Sequence, residues 1–457
     1  MDGELRTQLM KAIDRNLERS LSELSELVGQ PSISSQGVGM DAAAELVADL
    51  LRRHDLSSRL IETPSYPVVY GEWKGGGPGS LVLYNHYDVQ PADPLDLWNS
   101  PPFEVTRVDG KLVGRGIADD KGHIISRLAA LDAVREVLGD LPCTVKLMIE
   151  GGEEISSPHI PEFVQEHRDL LAADACIWET GGVDFSGRPV ITLGMRGICY
   201  LQYDVRTMSR DAHSGMAHLL PNAAWRLVQA LGTLKDPEGH IAVEGFFDDA
   251  LKPTERDLQL ISELPNADED MYASYGISEF INGLSGDAAE RAVYSPTANI
   301  AGFSSGYQGA GAKTVIPSSA MAKMDFRLIP DQDPEDIYRK VCSHLEREGF
   351  GDVEVTYLGG ERAAATDPDE PWVLLAIDTA REVYGKEPIV FPMIGGSGPM
   401  HPFRHTLGVP IVTSGVGDPE TLIHAPNENI RIENFVLGTL HTALLVARYA
   451  QGRAAAT

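Results

Sequence analysis

The feature that most limits how this chain can fold is a set of short apolar segments that each run into a histidine or an acidic residue. The segments and the polar residues that follow them are Leu81–Tyr84 with His86, Thr144–Ile149 with Glu153 and Glu154, and Ala175–Trp178 with Glu179. Each segment has the length of a strand, and helical patterns separate them, which predicts an α/β layered domain with a largely parallel or mixed sheet. Ligands of such sheets collect at the carboxyl ends of strands, so these polar side chains are expected to lie at one edge.

A second constraint is the turn from Gly114 to Gly122, which carries two adjacent carboxylates, Asp119 and Asp120. Glycines flank the pair, and a helical pattern begins just after it. Such a turn can direct a carboxylate at a cation, although either aspartate could also be a helix cap. We regard Asp119 as the ligand candidate and Asp120 as the cap candidate.

The length of 457 residues exceeds what one hydrophobic core usually supports, so two domains are expected. Residues 197–362 contain strand, helix, two strands, helix and strand patterns, which are typical of a small α+β domain inserted into the first. We therefore predict a discontinuous catalytic domain of residues 1–196 and 363–457 and an inserted domain of residues 197–362. The pattern is weakest between residues 238 and 294.

Composition limits the partners and the compartment. The net charge of −29 argues against nucleic acid or an anionic membrane surface as a partner. No segment approaches the roughly 18 apolar residues of a membrane span, and the N-terminus lacks the basic start and apolar core of a signal peptide. The four cysteines are far apart and form no C-x-x-C pair, which favours reduced thiols and a cytoplasmic location.

Five residues together form a mixed imidazole and carboxylate ligand set: His86, Asp119, Glu154, Glu179 and His424. Each alone would most often be an ordinary surface or core residue, and it is the combination that indicates a site. Two divalent ions could share these ligands, zinc being the best match and manganese or cobalt the alternatives. Asp119, in the most constrained turn, is the predicted bridge between the ions.

Two further acidic residues complete the predicted catalytic chemistry. Asp88 follows His86 by two residues and is placed to accept the other ring N–H, which fixes the tautomer of a metal-bound histidine. Glu153 is next to a ligand carboxylate and is the candidate general base that takes a proton from a metal-bound water. It could then give that proton to the leaving nitrogen.

Four ordered motifs carry a family resemblance. They are Asn85–Asp88, Gly114–Gly122, Glu150–Glu154 and Ile423–Glu428. Together they resemble the co-catalytic zinc metallopeptidase family, whose members include carnosine dipeptidase, glutamate carboxypeptidase, aminoacylase, acetylornithine deacetylase and succinyl-diaminopimelate desuccinylase. The resemblance implies that Asp119 bridges the metals, that His86 and Glu179 complete one site and Glu154 and His424 the other, and that Glu153 is the base.

The segments 89–91, 98–103 and 313–317 are most similar to the dipeptidase branch of this family. That similarity implies an inserted domain that acts as a lid and forms a homodimer. It also implies four substrate residues: His213, which would reach the partner subunit's site and polarise the scissile carbonyl, Arg327 and Thr314, which would hold the terminal carboxylate, and Ser397, which would line the pocket through its backbone. Two positions depart from the branch, since dipeptidases often have aspartate at 179 and glutamate at 152.

The sequence thus predicts a dinuclear metallohydrolase that cleaves dipeptides or short peptides with a free terminal carboxylate. One alternative is an N-acyl-amino-acid deacylase, which would differ only in what the lid and the pocket admit. Another, from a different class, is a non-catalytic protein that binds metal or peptide and keeps the fold. The intact Glu153 favours an enzyme over the latter.

Overall fold

The computed structural model describes residues 2–266, 268–281 and 293–454 and divides into two compact units. The first unit comprises Met1–Gly194, Ala365–Pro392 and Pro399–Thr457, and the second comprises Met195–Ala364 and Met393–Gly398. These boundaries are close to the predicted ones at 196/197 and 362/363. Residues 393–398 differ from the prediction, because they belong to the second unit and not to the catalytic domain. The reason is local pairing: Met195 and Ile394 form a parallel bridge, and Arg196 N donates to Gly396 O at 2.9 Å.

The helices have the following bounds in chain order: α1 (Asp2–Gly29), α2 (Met40–Arg53), α3 (Lys121–Leu138), α4 (Ile160–Glu166), α5 (Arg168–Leu171), α6 (Ala223–Gly232), α7 (Glu255–Ser262), α8 (Asp268–Tyr275), α9 (Pro334–Arg347), α10 (Pro371–Tyr384) and α11 (Ile432–Ala454). Gly39, at a φ of +73°, precedes α2, and Asp41 lies in the first turn of that helix. Among the described residues, no helix combines the length and apolarity needed to cross a bilayer.

The strands have the following bounds: β1 (Ser57–Ile61), β2 (Val68–Trp73), β3 (Ser80–His86), β4 (Thr106–Val108), β5 (Lys111–Val113), β6 (Thr144–Glu150), β7 (Ala175–Trp178), β8 (Gly182–Val183), β9 (Pro189–Thr192), β10 (Gly194–Met195), β11 (Gly197–Arg206), β12 (Ala212–His213), β13 (Thr297–Ser305), β14 (Val315–Ile316), β15 (Ser319–Leu328), β16 (Glu354–Glu361), β17 (Ala364–Ala365), β18 (Ile389–Phe391), β19 (Ile411–Thr413) and β20 (Asn429–Arg431). The short strands β1, β2, β4, β5, β8 and β9 are not evident from the sequence pattern.

The first unit is built on a six-stranded sheet in the order β1-β2-β6-β3-β7-β19. Its strands β6, β3, β7 and β19 are parallel, whereas β1 and β2 run antiparallel to their neighbours. The sheet is therefore mixed, which confirms the predicted α/β class. The central strand β3 is buried from Leu81 to His86, as a strand covered on both faces must be.

The parallel strands place the predicted ligands at one edge of this sheet. His86, the last residue of β3, is in register with Glu150, the last residue of β6. β7 ends at Trp178, immediately before Glu179. Because parallel strands point the same way, the residues that follow them lie at a common edge, as expected for an α/β ligand site.

The second unit is a four-stranded antiparallel sheet in the order β13-β15-β11-β16, against which α6 and α9 pack. Alternate residues of β11 and β15 are buried, which is the pattern of a sheet covered on one face. The core includes Leu201 and Phe326 from the strands and Leu227 and Val341 from the helices. This unit is the α+β sandwich that the sequence predicts.

Candidate metal centre

His86 is fully buried at the end of β3, and its two ring nitrogens face different groups. Nδ1 lies 3.0 Å from the carbonyl oxygen of Asp88 and 3.3 Å from its carboxylate, so this nitrogen carries the proton and donates it. Nε2 is 3.1 Å from Asp119 Oδ1 and 3.6 Å from Glu179 Oε2. An ion bound at Nε2 would replace the proton there while Asp88 keeps the proton on Nδ1, and that tautomer is the one that a metal ligand requires.

Asp119 presents one carboxylate oxygen to each of two histidines. Its Oδ1 faces His86, and its Oδ2 is 3.0 Å from Nε2 of His424. The same nitrogen of His424 is 3.1 Å from Glu154 Oε2. A carboxylate that bridges two ions must point its oxygens at two separate ligand groups, and Asp119 does so.

The geometry and chemistry of these groups fit divalent ions. Nε2 atoms and carboxylate oxygens stand 3.0 to 3.6 Å apart, and ligand atoms around a tetrahedral zinc are separated by about 3.3 Å. Glu179 is only 3% exposed, and its Oε2 has no hydrogen-bond partner among the described residues. A buried carboxylate oxygen without a donor is costly, and a cation would satisfy it.

Burial and crowding change the protonation of the acidic residues. Burial raises the pKa of Glu179 well above its usual range, because few groups around it stabilise its charge, and His86 opposes the shift only in part. Asp119 behaves in the opposite way: burial would raise its pKa, but hydrogen bonds from His424 and His86 outweigh it and hold the pKa well below the usual range. Asp119 is thus an ionised carboxylate between two imidazoles.

Glu153 and Glu154 begin a 3₁₀ turn, Glu153–Ile155, that follows β6. The carboxylate of Asp88 accepts both of their backbone N–H groups, at 3.2 Å for Glu153 and 3.0 Å for Glu154. Burial raises the pKa of Glu153 well above its usual range; His86 lowers it, and the neighbouring carboxylates Asp119, Glu154 and Asp88 raise it further. A carboxylate with a raised pKa is suited to accept and then return a proton near neutral pH.

The four predicted substrate residues belong to the second unit, and they form two pairs. Strand β12, which contains His213, pairs with β14 just after Thr314, and Ser214 N donates to Thr314 O at 3.2 Å. Arg327, on β15, donates from Nη1 to Ser397 Oγ at 2.8 Å. The contact of Ser397 is thus through its side chain.

The two pairs lie at opposite ends of the four-stranded sheet. Thr314 precedes β15, whereas Arg327 is the next-to-last residue of that strand. The stretch from Ser319 to Arg327 alone spans about 26 Å at the rise of a β-strand. The second unit of one chain therefore does not bring His213 and Thr314 together with Arg327 and Ser397.

Besides Asp88, further residues that the sequence pattern does not reveal hold the candidate ligands in place. Asp120 is buried, and its Oδ2 accepts from Asn85 Nδ2 at 2.6 Å and from His86 N at 3.2 Å, whereas its Oδ1 lies 2.8 Å from His123 Nδ1 without forming a hydrogen bond. Asp120 lies within ligand distance of His86 and Glu179 as well, and its two hydrogen bonds at Oδ2 support the end of strand β3. The signal in the sequence that could have identified Asp120 is its position in the motif Gly114–Gly122, next to Asp119.

Gln90 is a second support that sequence reasoning missed. Its Nε2 donates to Glu154 Oε2 at 2.8 Å, and so orients that carboxylate towards His424. The position of Gln90 four residues after His86 does not indicate this role, because the hydrogen bond joins Gln90 to a residue 64 positions further along the chain.

Comparisons with known proteins agree with this geometry. The sequence profile described as peptidase family M20/M25/M40 matches residues 82–448. The chain is 30% identical to the Beta-Ala-His dipeptidase of Homo sapiens over 407 residues, which are 85% of this chain and 78% of that protein. It is 27% identical to the Cys-Gly metallodipeptidase of Schizosaccharomyces pombe, over 94% of this chain and 95% of that protein.

A solved structure with a similar fold is that of an M20 family metallo-carboxypeptidase from Sulfolobus solfataricus. It superposes with a TM-score of 0.91 at 35% sequence identity, and the match covers 94% of this chain and 99% of that one. The profile match spans most of the chain and includes the motifs that supply the metal-centre residues. The chain belongs to peptidase family M20/M25/M40.

Proposed function

We propose that this chain is a dinuclear metallodipeptidase that cleaves dipeptides or short peptides with a free terminal carboxylate. The observation that carries the proposal is the position of Asp119, whose two carboxylate oxygens each lie within about 3.1 Å of a different histidine. Glu179 would complete the site at His86, and Glu154 the site at His424. Zinc suits this mixed nitrogen and oxygen set best, with manganese or cobalt as alternatives.

Divalent ions bound in such a pair of sites supply polarisation of the scissile carbonyl and acidification of a water molecule. The residues of the chain supply the rest. Glu153 holds the proton that the attacking water loses and passes it to the leaving nitrogen, for which its raised pKa suits it. Asp88 keeps the 3₁₀ turn of Glu153 in place and holds the proton of His86 on Nδ1.

The second unit supplies the substrate contacts in this proposal. The Arg327 guanidinium, oriented by Ser397, binds the terminal carboxylate. His213 accepts from Gly215 N at Nδ1, at 3.0 Å, so its Nε2 carries a proton that can polarise the scissile carbonyl. Since His213 and Thr314 lie at the other end of the sheet from Arg327, a site that uses all of them takes His213 and Thr314 from a second copy. This is the support for a homodimer.

The names of the relatives favour peptides as substrates, since the human and yeast proteins are called dipeptidases. The metallo-carboxypeptidase, at 35% identity, favours a substrate with a free carboxyl terminus as well. Its similarity makes carboxypeptidase activity the second candidate. The four cysteines are free thiols, three of them buried, which supports a cytoplasmic site of action.

A panel of substrates tests the proposal. Purified full-length protein loaded with zinc, manganese or cobalt is assayed against dipeptides, tri- and tetrapeptides, N-acetyl and N-succinyl amino acids, and dipeptides with an amidated carboxyl terminus. The proposal predicts turnover of free dipeptides and loss of that turnover on amidation. Exclusive turnover of acylated amino acids would contradict it in favour of a deacylase, and a preference for longer peptides would favour the carboxypeptidase.

A further inference from the structure

The carboxylate of Glu428 is almost completely buried, at 1% exposure, and collects four hydrogen-bond donors. Oε2 accepts from Arg115 Nη1 at 2.7 Å and from Gly116 N at 2.9 Å. Oε1 accepts from Ala118 N at 2.8 Å and from Asp119 N at 3.0 Å. All four partners are donors, so a carboxylate with an acceptor oxygen on each side matches this position.

These bonds fix the turn that carries Asp119. The backbone N–H groups of Gly116, Ala118 and Asp119 donate to the carboxylate of Glu428. The backbone carbonyl of Glu428 accepts a further hydrogen bond from Gly114 N at 2.9 Å. Gly116 has a φ of +79°, and a Cβ there would meet Val89 Cγ1 at 2.3 Å. The turn is thus held on one side by Glu428 and is packed tightly on the other.

Glu428 also anchors the loop that carries His424. That histidine is 51% exposed, whereas His86 and Glu179 are buried at the ends of β3 and β7. The loop is closed by the bond from Asn429 N to Thr421 O at 2.9 Å. Its other attachment is Asn427, which accepts from Asn99 N at 2.8 Å and donates to Leu97 O at 2.9 Å.

Arg115 extends the same connection towards the strand of His86. Its guanidinium is buried, donates to Pro91 O at 3.1 Å and stands over the ring of Trp98, 5.4 Å from its centroid. The buried pair of Arg115 and Glu428 therefore joins the segment after β3, the Asp119 turn and the His424 loop. An exposed loop that carries a ligand needs such an anchor more than a buried strand end does.

We infer that Glu428 is a positioning residue that aligns Asp119 with His424 and thereby sets the metal affinity of the Asp119, Glu154 and His424 site. The His86 and Glu179 side depends on it much less, because strands β3 and β7 hold those residues. The inference rests on the proposed function, in which the centre takes two ions.

The test is a titration of metal-stripped, full-length protein with zinc in the presence of a competing chelator. In Glu428→Gln the amide presents an NH₂ group to N–H donors, so the turn loses at least one of its two acceptor positions. One of the two binding steps is expected to lose at least about tenfold in affinity, while the other step stays within about threefold. At saturating zinc, kcat is expected to fall about tenfold with KM little changed, since the substrate contacts are elsewhere.

Glu420→Gln is the matched control, because Glu420 is an exposed glutamate of the same loop that pairs with Lys111 and Arg431. It is expected to leave both binding steps and kcat unchanged. Equal weakening of both steps in Glu428→Gln, or no change in either, would overturn the inference. If Glu428→Gln does not fold, Asn427→Ala decides, because it loosens the same loop from its exposed side: selective weakening of one step supports the inference, and unchanged binding overturns it.

The result for the unaltered protein separates this inference from the proposed function. Two zinc ions bound by the unaltered protein, with no selective effect in the variants, would overturn the role of Glu428 alone. A single zinc ion bound by the unaltered protein would overturn both.

Discussion

The two units of the molecule present their candidate functional residues in contrasting ways. In the first unit, residues from five segments of the chain converge until their ligand atoms are 3.0 to 3.6 Å apart. In the second unit, the four candidate substrate residues form two pairs at opposite ends of one sheet. His86 and Glu179 are buried, whereas His213 and Thr314 are exposed.

This difference indicates that the two halves of the activity have different structural requirements. The candidate metal ligands converge within one chain, because a parallel sheet brings the ends of its strands together. The proposed substrate contacts do not converge within one chain, because an antiparallel sheet keeps the ends of a ten-residue strand far apart. Metal binding should therefore depend on the residues of one chain alone. Substrate turnover should depend on which two chains are combined in a dimer.

Removal of the metal has the largest expected effect. Dialysis of the protein against a strong chelator is expected to reduce peptide hydrolysis below detection. Without the ions, nothing polarises the scissile carbonyl or acidifies the attacking water. Activity should return on addition of zinc, manganese or cobalt. Full turnover by a preparation shown to be metal-free would contradict the role of the first unit as a metal centre.

Glu153→Gln is expected to lower kcat by about 10³-fold while metal content stays unchanged, since a general base contributes on that scale and Glu153 is not placed as a ligand. Metal analysis and steady-state kinetics on the same preparation check this. The control is Glu162→Gln, an exposed position of α4. Turnover by Glu153→Gln equal to that of the unaltered protein would instead favour a non-catalytic role for the centre.

The mixing of two inactive variants tests the second half of the comparison. His213→Ala and Arg327→Ala are each expected to lose about 10²-fold in kcat/KM, because each removes one electrostatic contact to the substrate. When the two are dissociated and reassociated together, half of the dimers are mixed and each mixed dimer has one intact site, so about a quarter of the full activity returns. No recovery, with mixed dimers shown to be present, would mean that His213 and Arg327 serve the same chain.

The smallest expected effect on activity comes from substitution of His54. This change tests whether the first unit can be destabilised at a position remote from the candidate metal centre without loss of activity. His54 is 2% exposed and contacts Asp132 at 2.9 Å and Glu23 at 3.1 Å, which joins α2 to α3 and α1. Burial alone would lower its pKa, but these two hydrogen bonds outweigh it and raise the pKa to about 9.

Because the folded-state pKa exceeds the unfolded value of about 6.5, the stabilisation is fully present below pH 6.5 and is lost as the pH rises through 9. His54→Gln should thus lower the free energy of unfolding by about 3 kcal/mol at pH 6 and by little above pH 9. Denaturant titrations across this range check the slope, and kcat/KM should stay within about twofold. A destabilisation that grows with pH would contradict the assignment.

The sequence predicts that the candidate metal ligands converge, because several of them follow strands that the apolar pattern reveals. His86, Glu154 and Glu179 are each found from the end of such a strand. His424 has no strand before it, and its identification depends on the motif it shares with the family. The supports Asp120, Gln90 and Glu428 act through contacts with distant segments, and no local pattern in the sequence encodes those contacts.

The second unit shows the opposite limit. Its sheet and helices follow from alternation and helical spacing, yet the separation of His213 from Arg327 depends on strand direction and register, which the sequence does not specify. The transfer of residues 393–398 to this unit likewise depends on pairing with residues 195 and 196. Pairings of this kind join positions about 200 residues apart.

Anomalous diffraction at the zinc edge, from crystals of the zinc-loaded protein, tests the central claim most directly. The account predicts two peaks about 3.5 to 4 Å apart, one bounded by His86, Asp119 and Glu179 and the other by Asp119, Glu154 and His424. A single peak, or two peaks that do not share Asp119, would contradict it.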